Sequence, residues 1–189
     1  MITQFELKEV REERALCWSG TSEEFGDVEV HYSADLGPMG STCARAQGSV
    51  IPTAFLIGWS VFDDKPRLTG AQLQLDGEEV KLRRKPWAVR RKGRALRITY
   101  DGKEYRCRAT RRKQYVLTRP GLAVTVTESG IGKNRRRVLV LIDGSAVPVD
   151  ISLAVLFSGV NRAQLTLGGA FRTGFSTVFN FSMDNVGRV

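Results

Sequence analysis

The sequence predicts a mainly β fold: an antiparallel barrel, closed or nearly closed, enclosing one short hydrophobic helix near the C-terminus, with a C-terminal amphipathic tail. Three observations predict it. Asp76-Gly77 and Asp101-Gly102 each separate two segments of alternating polarity, and Asp-Gly supplies the positive φ angles of a two-residue hairpin turn. Short strand-like segments recur along the 189 residues, as they do in barrels and sandwiches. Finally, Ile151-Ser152-Leu153-Ala154-Val155-Leu156-Phe157 is apolar almost all round. A helix of that kind must be buried on nearly all sides, and a closed sheet supplies the enclosure.

The elements follow in order. Strands are expected at 28–33 and 55–62, then at 73–75 and 80–82 around the first Asp-Gly, and at 87–91. The second Asp-Gly joins 96–100 to 103–107 and fixes their register. Ile98 then faces Tyr105 and Leu96 faces Cys107 on an apolar side, while Thr99 faces Glu104 and Arg97 faces Arg106 on a polar side. One face on a core and one in water is the pattern of an antiparallel pair. Strands at 114–118, 122–127 and 137–142 complete the set, with a glycine-containing loop at 128–134. Val138-Leu139-Val140-Leu141-Ile142 is apolar on both phases, which predicts a central strand covered from both sides. The helix is expected at 148–158, with Pro148 in its first turn, Ser145 or Asp150 as cap and Gly159 as the stop.

Residues 1–160 form a single barrel-like domain in this reading, and 161–189 a tail packed on it. In the tail, Phe171, Phe175 and Phe179 fall on one helical stripe after the Gly168-Gly169 hinge. Packing on the domain, a partner groove and a membrane interface are the three uses open to such a stripe.

A hydrophobic fraction of 42% is that of a globular chain. No apolar run reaches the roughly 18 residues needed to cross a bilayer. The start, Met1-Ile2-Thr3-Gln4-Phe5-Glu6, lacks the basic and apolar regions of a signal peptide. The expected location is cytoplasmic, with peripheral attachment to a membrane as an option. Cys17, Cys43 and Cys107 are odd in number and far apart, so they read as small core residues rather than a metal or redox set.

Charge carries most of the functional information. The net charge is +9, but residues 1–79 hold 6 basic and 14 acidic groups, whereas 80–113 hold 15 basic and 2 acidic ones. Within that stretch Lys81, Arg83, Arg97, Arg106 and Arg108 lie on the polar phase of their strands, and Arg111 and Arg112 at a strand end. Arg97 opposite Arg106 is unfavourable unless the charges are solvated or bridged by an anion. These seven residues are the candidates for binding phosphates, on lipid headgroups or on nucleic acid. A solvated sheet face explains the same pattern without a ligand. Nucleic acid is the weaker choice: Trp87 and Tyr115 are candidates to stack bases, but Tyr100 and Tyr105 fall on the apolar phase, so the aromatic interleaving is thin.

The order of elements, many strands followed by a glycine turn and a short apolar helix over Val138 to Gly159, resembles the tubby C-terminal-like superfamily. The LURP-one-related proteins are its nearest branch here, with the phospholipid scramblases as cousins. The resemblance implies a barrel closed around a central helix, and binding of membrane phosphoinositides or a membrane-linked regulatory role rather than catalysis. It carries no lipid-contact residue onto a numbered position.

Catalytic patterns are missing from the sequence. The single histidine, His31, sits between Val30 and Tyr32 in an expected strand, and neither G-x-S-x-G nor H-E-x-x-H occurs. The acidic pairs Glu23-Glu24, Asp63-Asp64 and Glu78-Glu79 are adjacent in sequence and point oppositely on a strand. The expectation is a non-enzymatic binding module without cofactor or metal. It docks on anionic lipid headgroups or, alternatively, serves as a protein-interaction or self-associating scaffold.

Overall fold

The computed structural model describes residues 2–12, 15–33, 41–59, 65–84, 95–130 and 136–166. Twelve strands occur in them: β1 (Ile2–Glu12), β2 (Ala15–Ser22), β3 (Gly26–Ser33), β4 (Thr42–Gly48), β5 (Ala54–Gly58) and β6 (Gln72–Leu75). Then come β7 (Glu78–Arg83), β8 (Leu96–Tyr100), β9 (Lys103–Arg111), β10 (Gln114–Arg119), β11 (Leu122–Ser129) and β12 (Arg137–Gly144). Each pairs antiparallel with its sequence neighbours, and β12 returns to β1 with Leu7 opposite Val138, closing the barrel. Both Asp-Gly turns have positive φ at each residue, 48° and 85° at Asp76-Gly77, 46° and 68° at Asp101-Gly102. The register of β8 and β9 is the one the second turn dictates, Arg97 facing Arg106 and Ile98 facing Tyr105.

Strand number sets the interior. Twelve strands about 4.8 Å apart and tilted by about 40° enclose a cylinder roughly 24 Å across between opposite backbones. Two layers of inward side chains leave about 12 Å on the axis, the width of one helix. Helix α1 (Pro148–Leu156) occupies that space, and Ile151, Ser152, Leu153, Ala154, Val155 and Leu156 are completely buried. It lies nearest β4, β5, β10 and β11. On β4 and β5 three inward positions are small, Ala44, Ala46 and Ala54, with Leu56 the large one, while Leu73, Leu75, Leu96, Ile98 and Tyr105 fill other parts of the core.

The barrel has two distinct ends. The turns at 76–77, 101–102 and 120–121 lie at one, where α1 also begins; it is called the entry end below. The turn at 112–113 and the residues following α1 lie at the other, the exit end.

Several expectations need correction. β12 is not covered on both faces: Val138, Val140 and Ile142 point inward and are buried, but Leu139 is 39% exposed. In a closed barrel the second phase of every strand faces outward, so a doubly apolar strand leaves half its side chains at the surface. The helix cap also differs. Val147 is the N-cap, and Asp150 reaches back to accept the Val147 backbone N–H at 2.7 Å. Gly159 is not a left-handed stop; it closes a 3₁₀ turn, Phe157–Gly159, that extends the helix. A Cβ there would stand 3.2 Å from Ala44 Cβ and Val30 Cγ1, so glycine is needed for close approach to the wall. The strand expected at 55–62 is Ala54–Gly58, and residues 60–62 lie outside the described set, as do the strand expected at 87–91 and the tail phenylalanines.

The start of the chain was the least legible part, because β1, β2 and β4 were not expected. In β1 only Phe5 and Leu7 form the buried apolar phase. In β4 the inward residues Ala44 and Ala46 are poor strand formers. The first described residues after 160 pack against the barrel: Asn161 N–H donates to the Pro66 carbonyl at 2.9 Å, and Leu165 is buried.

Candidate anion-binding site

Closure of the barrel turns the polar phase of β7, β8 and β9 outward. Arg83 faces Arg97 across β7–β8, and Arg97 faces Arg106 across β8–β9, so three guanidinium-bearing positions form one row. Lys81 and Arg108 flank the row, and all five side chains are exposed. Neighbouring strands are about 4.8 Å apart and alternate residues about 6.7 Å, so the cluster spans on the order of 10 by 13 Å. Arg111 ends β9 and Arg112 begins the turn to β10, which places both at the exit-end edge of the same wall. Five of the seven basic candidates from the sequence thus share the outward phase of β7–β9, and Arg111 and Arg112 lie beyond it at the strand end and turn. The other three candidates, Phe171, Phe175 and Phe179, lie outside the described residues.

Two carboxylates stand on the wall: Glu79, exposed on the phase of β7 that carries Lys81 and Arg83, and Glu104 on β9. Glu104 accepts a hydrogen bond from Arg106 Nε at 3.1 Å and stands 3.9 Å from Arg97 Nη1. The arginines are more than half exposed, so these contacts organise the row at little energetic gain. Two cations sharing one carboxylate remain a net positive row. Arg84, next in sequence, is not part of it: its guanidinium donates to the Gln164 carbonyl at 3.4 Å and to Thr69 Oγ1 at 3.3 Å, and burial lowers its pKa.

The aromatic candidates for base stacking do not join the wall. Tyr115 is completely buried inside the barrel and donates its hydroxyl to the Ala154 carbonyl at 2.6 Å. The inward phase of β10 is Tyr115 and Leu117, so Tyr115 offers no exposed ring. Trp87 lies outside the described residues.

Two buried ion pairs hold the helix in the barrel, and neither was expected. At the entry end Arg119 donates to both Asp150 oxygens, at 2.9 and 2.6 Å, and to the Ser145 carbonyl at 2.9 Å. Hydrogen bonding to Asp150 raises the Arg119 pKa further above its ordinary value. Asp150 is completely buried in the first helical turn, where a negative charge also meets the positive end of the helix dipole. At the exit end Arg162 donates to Glu128 and to the Phe157 carbonyl, and its guanidinium stands 4.3 Å above the Tyr115 ring. Lys65 donates to the Ser158 carbonyl at 2.7 Å. Cations thus meet the free carbonyls at the helix C-terminus, as the dipole favours. A lone acid at the head of an otherwise apolar helix, Asp150, is the signal that could have suggested a buried cation, without naming it.

His31 faces outward, with Nε2 3.3 Å from Glu29 Oε2. Cys43 and Cys107 are buried free thiols, pushed by desolvation up to about 11 and about 12. Among the described residues, no three His, Cys, Asp or Glu side chains gather where they could hold a metal ion. No described helix is long and apolar enough to cross a membrane. On the outer wall of β4–β6, a groove of about 350 Å³ is lined by Arg45, Thr53, Phe55, Gln74 and Gly77.

Fold and site together define a closed twelve-stranded antiparallel barrel with an axial helix and one strongly basic wall. No family model matches the chain, and neither the curated proteins nor the solved structures yield a match.

Proposed function

We propose that the protein is a non-enzymatic docking module whose basic wall binds the phosphate groups of anionic membrane lipids. The observation that supports this reading is the in-register row Arg83–Arg97–Arg106, flanked by Lys81 and Arg108, with Glu104 the carboxylate that contacts two of its arginines. Like charges set directly opposite on a sheet repel, and a phosphate lying across the row would remove that repulsion. Each Lys or Arg near an anionic bilayer contributes about 1 kcal/mol, so five give an attachment of about 5 kcal/mol that weakens with salt. The likeness to the tubby-like superfamily points in the same direction, and a peripheral cytoplasmic location follows from it.

Nucleic acid is disfavoured, because Tyr115 is buried where base stacking needs an exposed ring. Flotation with neutral vesicles, phosphatidylserine vesicles and phosphoinositide vesicles tests the proposal. Recovery is expected with the anionic vesicles alone at low salt, and Arg97→Glu with Arg106→Glu should abolish it. Equal recovery on neutral vesicles would refute it.

A further inference from the structure

The outward phase of β12 reads Arg137, Leu139, Leu141, Asp143: a cation, two leucines and an anion, in that order along the strand. Leu139 is 39% exposed and Leu141 is half-buried. The strands on either side continue a wall of little charge. On β11 the outward residues are Ala123, Thr125, Thr127 and Ser129, and beyond it β10 adds Gln114, Val116 and Thr118. On β1 they are Ile2, Gln4, Glu6 and Lys8, with Gln4 beside Leu141 and Glu6 beside Leu139. Ile2 is 69% exposed. All these residues lie among the described ones, and they hold two cations and two anions, a net charge of zero in a chain of +9. Arg137 stands 3.3 Å from Glu6, yet its side chain is 58% exposed, so the guanidinium keeps donors for a second partner.

From this pattern we infer that two copies of the chain pack wall to wall, about a two-fold axis that crosses β12 at Val140. The axis lies in the wall and runs across the strands, so the rotation reverses each strand and keeps its place in the wall. β12 then lies antiparallel on its counterpart, with Leu139 over Leu141 and Arg137 over Asp143, each twice by symmetry. Val140 is paired with Phe5 on β1 and with Val126 on β11, so the axis passes there too. Gln4 falls over Glu6, an amide over a carboxylate, and Ile2 over the stem of Lys8; Thr125 falls over Thr127. No like charges meet. An axis along the strands would instead set Arg137 on Arg137 and Asp143 on Asp143, and like charges in contact disfavour that arrangement. The occupant is thus fixed by complementarity: a strand face that reads cation, apolar, apolar, anion is its own complement when reversed, as an isologous contact requires. An apolar centre with a charged rim is also the make-up of a protein interface. Four strands about 4.8 Å apart over seven residues present on the order of 400 Å² per copy, about half of the roughly 800 Å² of a standard interface. A weak, reversible dimer follows. The basic row on β7, β8 and β9 takes no part, so the inference does not depend on membrane docking.

The test uses the full chain and two variants that leave the row Arg83–Arg97–Arg106 intact, Arg137→Asp and Asp143→Arg. Sedimentation of the unaltered chain should show a mass that rises with concentration from the 21.0 kDa monomer to its double, and stops there because a two-fold contact closes on itself. Each variant alone sets like charges at both rim contacts, so its dimer should weaken at least about tenfold. Mixed in equal amounts, the two variants restore opposite signs at both contacts, and the dimer should return. The same mixture shows that both variants are folded. A chain carrying both substitutions also faces opposite signs again and gives the same reading within one molecule, a dimer for the inference and a monomer against it. A mass that stays at 21.0 kDa for the unaltered chain up to about 0.5 mM overturns the inference. So does growth beyond a dimer, a variant that dimerises alone as well as the parent, or a mixture that stays monomeric while both variants keep the parent's circular dichroism.

Discussion

Replacing Arg119 by methionine removes the cation that faces Asp150 while keeping much of the side-chain length. The carboxylate would keep the Val147 N–H at 2.7 Å but lose donors at 2.9 and 2.6 Å, with no access to solvent. Breaking one side of a buried pair costs about 3–5 kcal/mol. The expected loss is therefore about 3–5 kcal/mol. Adding Asp150→Leu should recover most of it, leaving about 1–2 kcal/mol for the Val147 N–H that then lacks its acceptor. Urea unfolding followed by tryptophan fluorescence and far-ultraviolet circular dichroism measures both. A loss below about 1 kcal/mol for Arg119→Met, or a double variant no better than the single one, would refute the reasoning.

Two further outcomes follow from the core. Gly159→Ala places a methyl 3.2–3.3 Å from Ala44, Val30 and Tyr32, so thermal or urea unfolding should show a loss of about 1–3 kcal/mol from overpacking; a neutral result would mean the helix can shift away from β4. The buried thiols make the fold sensitive to alkali. Cys43 and Cys107 titrate at about 11 and about 12 when folded, against 9.0 ordinarily. The unfolded chain therefore loses these protons first, and stability falls as pH rises above about 9, by up to about 2.7 kcal/mol per pH unit for the two thiols together. Replacing both by alanine should flatten the stability-against-pH curve between pH 9.5 and 10.5, and an unchanged slope would show that the thiols are not its source.

The sequence by itself determined the local pairings and the enclosure of the helix. Asp101-Gly102 admits one tight turn, and that turn sets Arg97 opposite Arg106 and Ile98 opposite Tyr105. Alternation then decides which side is wet. Likewise Ile151 to Leu156 has no polar side long enough to meet water, so the helix had to be surrounded. Tertiary structure decided what depends on residues distant in sequence. Closure by β1 against β12 rests on a strand whose buried apolar phase is only two residues, Phe5 and Leu7, and it is the partner strand that makes it legible. The pairing of Arg119 with Asp150 spans 31 residues, and no local pattern reports it. The same holds for charge. The chain shows an acidic first part and a basic middle, but only the up-and-down winding of twelve strands brings every second turn to one end, which sets Glu23, Glu24, Asp76, Asp101 and Asp143 at the entry end together. Sequence order fixes which residues neighbour each other along a strand; the direction in which successive strands run fixes which turns share an end.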